Sequence, residues 1–172
     1  MRVYIPATLA MLARLVADGS LPAVSGTAFA VTPALRESYA HGDDDELAEV
    51  ALAEAALASL RLLGAEAAEA GEDADGALPT RRAVLVAEAE GATARPDLDT
   101  AVVRLAGPVM IGDVVAAYVD NAAAEPAVLA AMAVIDEADL GDEDAELTVG
   151  DAADHDLAWY ATQELPFLLD LL

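Results

Sequence analysis

The chain is 172 residues long, enough for one domain with a substantial core. Asp and Glu together number 32 against 8 basic residues, all of them arginine, for a formal net charge of -24, and there is no cysteine. That balance excludes ordinary binding to phosphate backbones and argues against anionic membrane surfaces. The missing cysteine excludes disulfides, thiolate metal sites and cysteine nucleophiles.

Alanine supplies a quarter of the residues and aromatics only 4%. A core of Leu, Val and Ala must therefore gain its packing from close approach of elements rather than from large anchors. Lysine avoidance beside abundant Ala, Arg, Gly and Asp is also what a GC-rich coding sequence produces. The start, MRVYIPAT, shows no secretory pattern of charged, apolar and small-residue regions, so a cytoplasmic protein is expected. The longest apolar window, residues 101–119, is broken by Arg104, Pro108 and Asp113 and does not read as a membrane span.

In chain order, RVYIPAT alternates Val3 and Ile5 with Arg2 and Tyr4, a strand closing at Pro6. Thr8 is placed to cap a helix whose stripe is Leu9, Leu12 and Val16 and whose stop is Gly19. TAFAVT is a second strand, and Thr32 with Pro33 opens a short helix through ALRESYA. The clearest helix follows Asp43, with Glu46 three residues on as in a capping box. Its leucines fall on more than one face, which predicts more than one packing neighbour. Residues 65–80 read as a frayed helix end and a flexible acidic loop.

RRAVLVAEAE is apolar on both faces in its middle, as a central strand is. AVVRLAG and GDVVAAYVDN predict further strands, and AEPAVLAAMAVIDEA a helix with Pro126 near its start. DLGDEDAELTVGDAAD reads as an acidic connection holding a brief strand at AELTV. The final stretch, DHDLAWYATQELPFLLDLL, is assigned to a helix, with Pro166 kinking or restarting it. The expected fold is a single α+β domain over residues 1–172. It has a mixed sheet of four to five strands covered by helices, and the first topology to test is a ferredoxin-like core with added C-terminal helices.

The candidate sites are few. Asp151, Asp154, His155 and Asp156 raise a metal site, but neighbouring helical residues diverge by about 100°; Asp151 and Asp154 are better explained as helix caps, so no metal is expected. There is no phosphate-cradling glycine loop and no nucleophile elbow, and no cofactor or catalytic residue is assigned. Arg36 and Tyr39 form one polar-aromatic cluster, beside His41 in an exposed turn. On a wheel of the final segment, His155, Trp159 and Gln163 share one face, Tyr160 and Glu164 lie beside it, and Leu157 to Leu168 form the core stripe. Trp159 then faces a second packing surface, a protein interface or a pocket.

RVYIPAT, GTAFAVTPALRESYA and DHDLAWYATQELP together resemble an uncharacterised family of small acidic actinobacterial proteins. The resemblance runs nearly end to end. It implies a cytoplasmic single-domain protein and no activity. Three functions fit. The leading one is a non-catalytic interaction or regulatory protein, dimeric through its C-terminal helix or bound to a protein partner. The second is a small-molecule binder or hydrolase using His155, Tyr160 and Glu164 with Arg36 and Tyr39. The third is an acidic mimic of nucleic acid.

Overall fold

The structure is a computed structural model that describes residues 1–71 and 78–172. Its first half runs β1 (Arg2–Ala7), α1 (Leu9–Asp18), β2 (Ser20–Leu21), β3 (Thr27–Phe29), α2 (Pro33–Ser38) and α3 (Asp44–Ala70). Its second half runs β4 (Ala83–Glu88), β5 (Thr93–Ala94), β6 (Val102–Arg104), β7 (Val109–Met110), β8 (Val114–Val119), α4 (Glu125–Asp139), α5 (Glu143–Ala153), β9 (Ala158–Ala161) and α6 (Leu165–Asp170).

Seven strands, among the described residues, form one sheet in the order β5-β6-β3-β1-β4-β8-β9, while β2 and β7 make a separate ribbon. Along the middle of the sheet, Ile5 faces Leu85 and Leu85 faces Ala117, so these three share one face. Tyr4, Val86 and Phe29 share the other. Both faces of β4 are covered, which is why its sequence is apolar without clean alternation. β8 carries a bulge: its register slips opposite Val86 and Ala87, and Val115 is turned out to solvent.

α1 and α6 cover the first face, packing Leu9, Leu12, Leu15, Leu165 and Leu168 on Val3, Ile5 and Leu85. α3 covers the second, bringing Leu47, Ala51, Ala55 and Ala56 against Phe29, Val84 and Val102. Farther along, Leu60 and Leu63 of the same helix meet Val128, Ala131 and Ile135 of α4 and Ala152 of α5. The two-neighbour packing predicted from its leucines is thus present. Ser59 ties α3 to the sheet: its hydroxyl donates to the Ala7 carbonyl at 2.7 Å and accepts from the Ala83 amide at 3.0 Å. Ala7 and Ala83 are the terminal pair of the β1–β4 ladder, so a buried side chain supplies the bonds the ladder's end lacks.

The predicted helix signals act as local chemistry requires. The Met11 amide donates to Thr8 Oγ1, the Leu35 amide to Thr32 Oγ1 and the Glu46 amide to Asp43 Oδ1. Gly19 ends α1 at φ 77°, a left-handed conformation that glycine adopts without strain. β1 continues past Pro6 to Ala7, because β3 pairs with β1 only at Tyr4 and leaves that flank of Pro6 with no ladder bond to lose.

Five expectations are corrected. The sheet has seven strands, not four or five, and every pairing is antiparallel, not mixed. A ferredoxin-like core interleaves two split β-α-β crossovers; one is present here, from β3 through α2 and α3 to β4 around β1, but α4 and α5 join β8 to its neighbour β9 instead of making a second. Residues 65–70, assigned to a frayed end and loop, continue α3 as regular helix; residues 72–77 of that loop lie outside the described residues. AELTV is not a strand but part of α5, where Asp142 caps the Ala145 amide and Glu143, Asp144 and Glu146 crowd the positive end of the helix. Finally, AWYA is strand β9, followed by a 3-10 turn at Thr162–Glu164, and Pro166 opens α6 rather than kinking a longer helix. Asp151 and Asp154 cap no helix start; they fall at the end of α5.

Candidate functional site

The strand assignment dissolves the helical face predicted for His155, Trp159 and Gln163. In a strand, neighbours alternate. Trp159 pairs with Tyr118 on the α3 face of the sheet, and Tyr160 pairs with Ala117 and packs on the α1/α6 core. His155 lies in the turn after α5, and Gln163 lies in the 3-10 turn beside Val115 and Pro166. Glu164 turns back so that its Oε1 accepts from the Ala161 amide at 3.2 Å. Arg36 is engaged by Asp44, and Tyr39 is exposed; neither lines the cavity that holds His155. The proposed meeting of the 36–39 and 155–164 segments in one pocket is therefore not seen.

Two features remain where function can reside. The first is the sheet edge. β9 is an end strand, and its four residues carry no charge. The Ala161 amide is directed at Glu164 and hence away from β8, which makes Ala116–Ala161 a non-hydrogen-bonded pair. By the two-residue period of the ladder, the backbone N–H and C=O of Trp159 also point away from β8. Its side chain is 57% exposed. On α6, which follows, Phe167 and Leu171 are exposed one turn apart. Trp159 on the α3 face of β9 and Phe167 and Leu171 on α6 are thus exposed apolar groups in a strongly acidic chain.

The second feature is a cavity of about 440 Å³ between α3, the end of α5 and the turn at 155–157. Leu52, Leu57, Leu60, Val149 and Leu157 form much of its wall, Arg82 is also among its lining residues, and Glu49, His155 and Asp156 add polar groups. Arg82 precedes β4 and Asp120 follows β8, so the two flank the β4–β8 ladder at the same end. Asp120 is fully buried and the Arg82 side chain is 5% exposed. The Arg82 amide and Nε donate to Asp120 Oδ2 at 2.7 and 2.9 Å, and Nη2 donates to Oδ1 at 2.8 Å. Nη2 also donates to the His155 carbonyl at 2.8 Å, which holds the 155–157 turn against the sheet. Arg81 points elsewhere, its Nε and Nη2 reaching Glu125 Oε2 on α4.

Other openings offer less. A cavity of about 530 Å³ near Met1 is bordered by Glu88, Glu90 and Asp113, but Glu88 is already bonded to Arg2 at 2.9 Å. Among the described residues, no group of three or more His, Asp or Glu side chains is arranged to hold a metal ion, and no helix is long and apolar enough to cross a membrane.

Of the cavity's polar groups, sequence reasoning singled out His155 and weighed Asp156 only as a metal ligand, and it missed Arg82, its partner Asp120, and Glu49. One signal was available: Arg82 and Asp120 abut two apolar strands, where an unpaired charge is costly. Their pairing depended on β4 and β8 being neighbours, which no local pattern states.

Fold and site together describe an antiparallel α+β domain with helices on both sheet faces, an open edge at β9 and an arginine-lined cavity. The chain belongs to a family of unknown function, DUF6912, which matches residues 1–169. No curated protein and no solved structure matches it.

Proposed function

We propose that this protein is a non-catalytic interaction protein that docks an extended segment of a protein partner along β9. The reading is carried by Trp159, which presents an exposed indole and an outward-facing backbone N–H and C=O at the same edge position. Strand addition uses that combination: main-chain hydrogen bonds give affinity and alternate side chains give selectivity. Unprotected edges are usually blunted by charge, proline or coverage. Here Glu164 closes only the Ala161 amide.

The charge favours a basic partner over a second copy. Self-association sets two chains of formal charge -24 against each other, whereas a lysine-flanked strand gains from the same field. A homodimer through β9 and α6 is the competing form of this reading.

Trp159 is the chain's only tryptophan, so its emission reports on the edge directly. Titration with a synthetic alternating Val/Thr peptide flanked by lysines is expected to shift the emission to the blue, with the effect weakening as salt rises. A glutamate-flanked peptide of the same core should leave it unchanged. Unchanged emission with both peptides refutes the edge reading. A blue shift that follows protein concentration alone, with sedimentation as a dimer, assigns the edge to a second copy.

A further inference from the structure

We infer that the cavity between α3 and α5 is a binding site for a small, neutral, largely apolar molecule bearing one carbonyl oxygen, which accepts a hydrogen bond from Arg82 Nη1. The guanidinium has five N–H donors. Nε and Nη2 are used on Asp120 and the His155 carbonyl, whereas Nη1 has no hydrogen-bond partner among the described residues. The one side-chain polar atom sealed from water without a partner, among those residues, is Arg104 Nε. Arg82 Nη1 is therefore reached by solvent, although its side chain is 5% exposed, and the opening that Arg82 lines is this cavity. A buried donor aimed into an apolar-walled space is what fixes the orientation of a small ligand.

The class of ligand follows from the charges. Asp120 already neutralises Arg82, while Glu49 and Asp156 add negative charge to the lining. Carboxylates and phosphates meet repulsion there, and a neutral carbonyl does not. The leucine and valine walls favour an aliphatic body, and a volume of about 440 Å³ admits a compact one. No residue at the cavity is positioned by β9 docking, so this site stands or falls independently of the edge.

The test is nuclear magnetic resonance titration of the full chain with hexanamide, hexanoate and inorganic phosphate. Hexanamide is expected to produce saturable shifts at the Arg82 side chain and at the methyl groups of Val149 and Leu157. Hexanoate should bind about tenfold more weakly or worse, and phosphate should not bind. Because removing Arg82 strands Asp120 and endangers the fold, the blocking variant is Ala153→Phe, at an exposed cavity-lining position. It should abolish the hexanamide response while leaving the melting temperature of the free protein within a degree or so of the parent. Absence of saturable shifts at these residues, equal or tighter binding of hexanoate, or undiminished hexanamide binding by Ala153→Phe would each overturn the assignment.

Discussion

On the α1/α6 face of the sheet, Leu9, Leu12, Leu15, Leu165 and Leu168 close over Val3, Ile5 and Leu85. On the α3 face, Ala51, Ala55 and Ala56 do much of the packing, and Ser59, Arg82 and Asp120 lie buried near them. The two faces hold the same sheet by different means. A fully buried leucine contributes about 1.5–3 kcal/mol of burial, and an alanine far less. The leucine face gains by filling space. The alanine face gains by close helix approach and by hydrogen bonds whose geometry must be satisfied. It also borders the cavity where leucine and valine side chains meet the buried Arg82. Both faces leave an opening, about 530 Å³ beside Val3 and Ile5 and about 440 Å³ beside Arg82, and the lesson is that the two differ in lining chemistry rather than in room.

The comparison can be broken most sharply at Asp120. Asp120→Ala leaves Arg82 charged and buried, and urea denaturation should show a loss of about 3–5 kcal/mol. Asp139→Ala removes the partner of Arg61 in a pair whose side chains are 45% and 42% exposed, and should cost about 1 kcal/mol or less. Similar losses for the two would mean that the buried pair is no keystone of the alanine face.

A second, smaller effect concerns Leu12, fully buried on the other face. Leu12→Ala should cost about 3 kcal/mol, because the close-packed surroundings cannot collapse around the void. Leu52→Ala, at the wall of the existing cavity, should cost clearly less, since it enlarges a space already open to solvent. Equal costs in chemical denaturation would erase the distinction between a packed core position and a cavity wall.

The smallest effect is electrostatic. Burial raises the Glu54 carboxyl above its ordinary value, Asp99 adds to the rise, and Arg61 opposes it. The folded state then holds that proton more tightly than the unfolded chain, so this group's contribution to stability falls as pH rises through the window between its ordinary and raised values. Glu54→Gln should give a slight stability gain at pH 7 that vanishes below the ordinary carboxylate range. Asp139 has the opposite sign: its hydrogen bond from Arg61 lowers it, so its contribution is present at neutral pH and is lost on acidification. A pH-independent gain for Glu54→Gln, measured by thermal melts, would count against burial as the cause.

Much of the local structure was legible in the residues. Thr8, Thr32 and Asp43 announced three helix starts, Gly19 announced an end, and the apolar run of β4 marked a central strand. The last stretch misled because AWYA is too short to show a period: four residues with two aromatics suit a helix or a strand. What made it a strand is its partner, the exposed flank of β8 at Ala116–Val119. α5 misled for a related reason, since its acids suggested a solvated loop, while its buried Ala145 and Ala152 are small residues that a hydropathy pattern scarcely registers.

The candidate site was less legible. Arg36, Tyr39, Tyr160 and Glu164 drew attention as rare or aromatic residues near acids, and the structure disperses them to an ion pair, the surface, the core and a turn. Trp159 and His155 kept a place, on separate features. By itself the sequence determined what neighbours within a few residues can decide: caps, stops, apolar runs, the charge and the chemistry that a lysine-free, cysteine-free chain cannot perform. Only the tertiary structure decided which strand forms the open edge, and that Arg82 and Asp120, 38 positions apart, share one buried pair beside a cavity. Such pairings depend on strand order, and strand order is set by long-range burial that no local window contains.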